Sequence, residues 1–346
     1  MFPPCVFRLP RLPSAPCHAR IIRMNDVFFY EAFEEEAAAL KRYLPASISA
    51  GYTGDTIQET GHTSPPARLI SVRTQSVLPT AWAESLDGIL SRSTGYDHLR
   101  AYADSVPQAP ALGHLPLYCH RAVAEQAALL WLALLRRLPV QLRQFKTFHR
   151  DTITGAECQG RTLVVVGVGN IGSEVCRVGQ GLGMRVLGVD LNPNLAGIEF
   201  VDLEIALPQA DIIVAAMDLN ASSRGFFTAQ RLGRCKRGAI FINIARGELS
   251  PSTELLAAFK SGVLGGIGLD VYDHEAELAE ALRGGRSSDD AEVKATLELT
   301  TFDNVICTPH NAFNTIESVE RKSEQSVLQV IAFRETGRFK WPIPSK

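Results

Sequence analysis

No apolar run in this 346-residue chain is longer than nine residues, Ala127–Leu135. A membrane-spanning helix needs about 20, so the run reads as a buried helix. The seven cysteines (5, 17, 119, 158, 176, 235 and 307) show no CxxC spacing. This speaks against a metal cluster, so no metal site is expected, and it suggests a reducing, cytoplasmic setting. Neither sign of charge dominates, with 35 basic against 37 acidic residues. Such balance argues against nucleic acid or a membrane surface as a partner recognised by charge. No internal repeat or low-complexity tract stands out. Residues 1–23 lack any acid but hold five prolines and four arginines. Prolines oppose the amphipathic helix of a transit peptide, so this stretch reads as a disordered extension before a domain that begins at Met24.

What is present points to an α/β protein. Apolar residues make up 46% of a length that favours two domains. Val27–Tyr30, Leu69–Val72 and Ile89–Ser91 read as strands and Glu31–Leu44 as a helix, giving a small α/β domain up to about Leu117. An apolar helix follows from Arg121 to about Leu138, with a surface wide enough to be buried between domains or in a homodimer. Then comes RTLVVVGVGNIGSEVCRVGQGLGMRVLGVD (161–190). Here strand Thr162–Val166, the glycines Gly167, Gly169 and Gly172, a helix to about Gly181, strand Val186–Val189 and Asp190 form a βαβ unit with G-x-G-x-x-G. Gly167 permits the tight turn, Gly169 lets a pyrophosphate approach the backbone, and Gly172 lets helix and strand pack closely. A carboxylate at Asp190 can accept hydrogen bonds from the adenosine ribose and would repel a 2′-phosphate, so the expected cofactor is NAD. Further apolar runs at Ile212–Ala216, Ala239–Ile242, Gly266–Leu269 and Val305–Cys307 alternate with helical stretches, which implies a doubly wound parallel sheet. Gly284–Asp290 reads as a surface loop and Ile316–Thr336 as a helix.

Ligands in such sheets bind beyond the carboxyl ends of the strands. Arg246, Glu275 and His310 fall at three such ends. An arginine offers a fork for a carboxylate, and a histidine exchanges protons near neutral pH and is oriented by an acid. Each also has a plainer reading, as a capping arginine, a polar-turn acid beside Asp273 and His274, or a solvated loop histidine. His274 and Asp273 are the nearest rivals for the histidine and acid roles. The glycine turn in SRSTGYDHL (91–99) could bind an anion through its backbone N–H groups, although from this segment alone an ordinary strand-to-helix turn is the simpler reading.

The motifs VGVGNIG (166–172), INIARGEL (242–249), GIGLDVYDHE (266–275) and NVICTPHNAF (304–313) resemble, in order, those of the NAD-dependent D-isomer-specific 2-hydroxyacid dehydrogenases. STGYD (93–97) and LYCHRAVAEQA (117–127) resemble the pattern that precedes the nucleotide domain. The resemblance covers nearly all of Met24 to Pro344. It implies two Rossmann-like domains with doubly wound parallel sheets flanking a cleft: a discontinuous substrate domain, 24–120 plus 312–346, and an NAD-binding domain, 121–311. It implies that Arg246 holds the carboxylate of a small 2-keto acid, with the backbone of Thr94 and Gly95 opposite and Tyr118 close by. His310 would be the acid/base and Glu275 its partner. Asn170, Ile171, Met217 and Ala245 would join the three glycines and Asp190 at the cofactor, and Asp270 would lie near the nicotinamide. The long insert between Glu275 and His310, and Phe313 after the histidine, resemble the D-lactate dehydrogenase branch. Glu275 argues against the formate dehydrogenase branch, which has glutamine there. AAMDLNASSRGFF (215–227) and Cys119-His120 depart from the common pattern. The same fold and triad also occur in NADH-responsive transcriptional corepressors, which is the alternative reading.

Overall fold

The structure, a computed structural model, describes residues 25–285 and 287–344; the extension expected at 1–23 lies outside them. Two parallel sheets organise the rest. The first has strands β1 (Val27–Phe29), β2 (Ala50–Tyr52), β3 (Leu69–Val72), β4 (Gly88–Ser91) and β5 (Ala111–Gly113), in the order β2-β1-β3-β4-β5. The second has β6 (Thr162–Val166), β7 (Arg185–Val189), β8 (Glu199–Phe200), β9 (Ile212–Ala215), β10 (Ala239–Asn243), β11 (Leu264–Leu269) and β12 (Val305–Cys307), in the order β12-β11-β10-β9-β6-β7-β8. The order reverses between β6 and β9, which opens a crevice at their carboxyl ends. Every residue of β6, β9 and β10 is buried. Strands covered by helices on both faces read as unbroken apolar runs, and each buried valine or isoleucine contributes roughly 1.5–3 kcal/mol.

The apolar helix is shorter than expected. It runs His120–Leu135, and a second helix, Leu138–Phe145, begins after Arg137 at φ 53°. Pro139, in the first turn of the second helix, starts a helix readily but cannot continue one. The first of the two packs on helix Asn170–Gly181 and on β10 and β11. Its apolar face is therefore covered mostly within the chain; Leu129 is exposed. The expected helix at Glu31–Leu44 begins only at Glu34. Glu31 stands at φ 53° and its carboxylate accepts the backbone N–H groups of Arg73 (2.9 Å) and Gln75 (3.1 Å).

Helix Ile316–Thr336 returns to the first sheet and packs on helix Glu34–Tyr43 and β4. Its N-terminus is capped by Thr315, whose hydroxyl accepts the Ser318 N–H, and it stops at Gly337 in the left-handed region. The tail then runs antiparallel to β5: His114 N–H donates to Trp341 O and Ile343 N–H to Leu112 O. This covers part of an otherwise bare sheet edge. Beneath the helix lies a buried charge cluster. Arg92 Nε donates to Glu36 Oε1 (2.8 Å), and Lys322 Nζ pairs with Glu36 Oε2 (2.9 Å). Arg92 also donates to Tyr30 O and Ser71 Oγ. Burial alone would raise the Glu36 carboxyl; the cations Arg92, Lys322 and Arg73 outweigh it and hold the carboxyl down to about 2. With more cations than acids, burial and the neighbouring guanidinium groups bring Lys322 down to about 8.

Candidate functional site

Strands β10, β11 and β12 are adjacent and parallel, so their carboxyl ends share one edge. Arg246 follows β10, Glu275 follows β11 as the first residue of helix Glu275–Gly284, and His310 follows β12. The three do converge. His310 Nδ1 lies 2.9 and 3.0 Å from the two carboxylate oxygens of Glu275. Arg246, His310, Thr94, Gly95, Tyr118 and Asp270 line a single cavity of ≈ 70 Å³ between the sheets, together with Ile171 and Ala245.

The rivals pair elsewhere. His274 Nδ1 lies 2.8 Å from Asp290 Oδ2, and that hydrogen bond raises the imidazole above its ordinary value. Asp273 accepts the His274 backbone N–H (2.9 Å). Asp290 also caps helix Ala291–Leu299, which ends the loop expected at 284–290 on its last residue. Gly284 belongs to the preceding helix.

Asp270 does more than the motif suggested. It is buried, accepts the Thr308 hydroxyl (2.5 Å) and accepts the backbone N–H groups of Asn311 (3.0 Å) and Ala312 (2.8 Å). It thus grips the chain on both sides of His310, whose φ is 50°. A non-glycine residue there is strained and persists only where its surroundings fix it. Burial pushes the Asp270 carboxyl up, against the three groups that bond its charged form.

Arg246 is pinned across the domain gap. Its Nε and Nη2 donate to one oxygen of Asp97 (3.2 and 3.1 Å), and Nη1 donates to Ala245 O (2.7 Å). A guanidinium has five N–H groups; these three bonds leave one on each terminal nitrogen without a protein partner. A Cβ on Gly95 would stand 1.4 Å from Arg246 Nη2, so any larger residue there would displace the guanidinium. Asp97 lies inside the STGYD motif, yet nothing in the sequence pointed to this bond. Thr94 Oγ1 donates to Leu115 O (3.2 Å). Tyr118 is buried, and its backbone oxygen accepts from Arg321 (2.8 Å). Burial raises the Cys119 thiol, so it stays protonated at neutral pH.

The glycine loop fits a dinucleotide. Gly167 has φ 91°, and a Cβ there would strike the Met217 backbone at 2.5 Å. A Cβ on Gly172 would meet Gly167 O at 1.9 Å, whereas at Gly169 nothing lies within 4 Å. The loop is closed behind and open in front, where phosphates would approach. No side chain caps helix Asn170–Gly181, so Asn170 and Ile171 begin a helix whose positive end is free for an anion. Asp190 already has bonds: its carboxylate accepts the N–H groups of Val168 (2.6 Å) and Asn192 (2.8 Å). It therefore also holds the loop.

Comparisons with known proteins place the chain in a family. Residues 128–312 match the family described as D-isomer specific 2-hydroxyacid dehydrogenase, NAD binding domain. The chain is 31% identical over 258 residues to D-lactate dehydrogenase kk1H of Curvularia clavata, covering 72% of each chain. It is 30% identical to D-lactate dehydrogenase of Lactiplantibacillus plantarum, over 77% of this chain and 80% of that one. Among solved structures, the D-lactate dehydrogenase of Aquifex aeolicus, complexed with NAD and lactic acid, superposes with a TM-score of 0.78 at 28% identity, covering 92% of this chain and 100% of that one.

Proposed function

The chain belongs to the D-isomer-specific 2-hydroxyacid dehydrogenases and is an NAD-dependent enzyme of that family; from this premise we propose that it interconverts a small, pyruvate-like 2-keto acid and the D-2-hydroxy acid, with His310 as acid/base. The observation that carries the reading is that His310, paired with Glu275, lines the same cavity as the guanidinium of Arg246. Arg246 holds the substrate carboxylate together with the backbone of Thr94 and Gly95, with Tyr118 at the substrate's side. Its charge also polarises the neighbouring carbonyl. His310, anchored through Nδ1, gives the proton on Nε2 to the carbonyl oxygen as that oxygen becomes an alkoxide, and takes it back in oxidation. Glu275 fixes the ring through Nδ1. Gly167, Gly169, Asn170, Ile171, Gly172, Asp190, Met217, Ala245 and Asp270 would hold NAD, whose reduced form would supply the hydride in reduction and whose oxidised form would accept it in oxidation.

Three further readings go with this one. Residues 24–120 plus 312–346 form the substrate domain and 121–311 the NAD-binding domain, supported by the return of helix Ile316–Thr336 to the first sheet. The protein is a homodimer, supported by exposed Leu129, Leu142 and Phe145. Its setting is the cytoplasm, supported by the five described cysteines, none of them in a disulfide. No helix among the described residues is long and apolar enough to cross a membrane. The relatives reported above are named as dehydrogenases, which lends the corepressor alternative no support. The test is NADH oxidation with a panel of 2-keto acids. Turnover of about 1 s⁻¹ or more supports the reading; tight NADH binding with negligible turnover on every keto acid would overturn it.

A further inference from the structure

The small cavity at Arg246 and His310 does not end blindly. It adjoins a larger cavity of ≈ 850 Å³, and Arg73, Thr74, His310 and Phe313 line both. The throat between them therefore carries a second arginine. The Arg73 guanidinium lies 4.7 Å from the Phe313 ring centre and 5.3 Å from that of Phe33. A guanidinium held over aromatic rings by cation–π attraction spends none of its N–H groups on hydrogen bonds to them. Among the described residues no hydrogen bond or ion pair reaches those groups. The other charges around the larger cavity are mostly committed. Arg42 pairs with Glu320, Lys322 with Glu36 and His310 with Glu275, while Glu31 accepts two backbone N–H groups.

We propose that Arg73 is a specificity-determining residue, and that the site favours 2-keto acids whose side chain ends in a second anionic group, a carboxylate above all. This rests on the reading of Arg246 and His310 as the 2-keto acid site. One carboxylate lies on Arg246 and the carbonyl faces His310. A side chain extending into the throat then meets a preoriented, unpaired fork. A methyl group, as in pyruvate, is too short to use it. The bland role, an arginine that only stacks, affects charged and uncharged side chains alike, and that difference makes the proposal testable.

The experiment compares substrates matched in length: oxaloacetate against 2-oxobutanoate and 2-oxoglutarate against 2-oxopentanoate, with pyruvate as reference, all with NADH. In the unmodified enzyme kcat/KM should favour the charged member of at least one pair by about tenfold or more, the worth of one hydrogen bond to a charged group. In Arg73→Met that ratio should collapse, and Arg73→Lys should restore part of it. Ratios at or below one in the unmodified enzyme overturn the proposal whether or not the variants fold. So does a ratio that Arg73→Met leaves intact. Turnover of pyruvate and the uncharged acids alone would overturn this inference while sparing the broader reading; absence of turnover with every acid would overturn both.

Discussion

At the scale of single residues, the site depends on contacts whose loss has a readable sign. Reduction needs His310 protonated and oxidation needs it neutral. Thus kcat/KM for reduction should fall towards alkaline pH while that for oxidation rises. Glu275→Gln keeps the approximate shape but removes the carboxylate whose two oxygens lie against His310 Nδ1, so kcat for reduction should drop by about tenfold or more while NADH affinity stays close to normal. An unchanged kcat would mean that Glu275 does not hold the ring in place. Gly95→Ala tests the other half of the site. The new Cβ would overlap Arg246 Nη2 and push the fork aside. Misplacement by about 1 Å can cost on the order of a hundredfold, so keto-acid kcat/KM should drop by that order while NADH affinity, read by fluorescence titration, stays close to normal. Equal loss of NADH binding would show that the damage is not local to the carboxylate site.

Whole elements carry two more predictions. Asp190 joins the end of β7 to the glycine loop by bonding Val168. Its carboxylate would also stand against the 2′-phosphate of NADPH, and like charges so placed cost several kcal/mol. Asp190→Ala should narrow the NADH-over-NADPH ratio of kcat/KM by more than about tenfold. An unmodified enzyme that uses both cofactors equally would remove the basis for this. The cluster under helix Ile316–Thr336 governs stability instead. Glu36→Gln strands Arg92 and Lys322 without an anion and should cost about 3–5 kcal/mol. Lys322→Met leaves one guanidinium facing one carboxylate and should cost only about 1 kcal/mol. Because the Glu36 carboxyl is held below its ordinary 4.5, at about 2, its contribution is present above pH 4.5. It is lost as pH falls from there towards about 2. Denaturant midpoints at pH 7 and pH 3 measure both effects, and equal costs for the two variants would contradict the arrangement.

For the molecule as a whole, legibility followed burial and sequence distance. Strands β3, β6 and β12 were readable to the residue, since buried parallel strands are unbroken apolar runs. Strands β2 (AGY), β5 (ALG) and β8 (EF) were missed: they have two or three residues, sit at sheet edges, and carry glycine or an acid. The helix break at Arg137 had a local signal, Pro139, that a pattern of apolar residues overrode. The glycine loop was legible because one turn dictates all three glycines. The grip of Asp270 on the His310 loop spans 41 and 42 residues, and the stacking of Arg73 joins aromatics from two distant segments. No local pattern encodes such meetings.

The late return of helix Ile316–Thr336 has a consequence for how the protein is made. Every candidate site residue has been synthesised once His310 leaves the ribosome. Yet the first sheet then still lacks Val327, Val330 and Phe333, which share a core with Phe29, Leu40 and Leu90. The nucleotide-binding half is contiguous and can close on itself during synthesis, while the other half must wait for a partner nearly 280 residues away, as the Tyr43–Glu320 bond shows. A chain stopped at residue 315 would hold a full set of catalytic side chains and no site. Limited proteolysis of that fragment should cut readily around Phe29 and Leu40 while sparing Thr162 to Cys307. Uniform resistance would mean that the first half folds without its last helix.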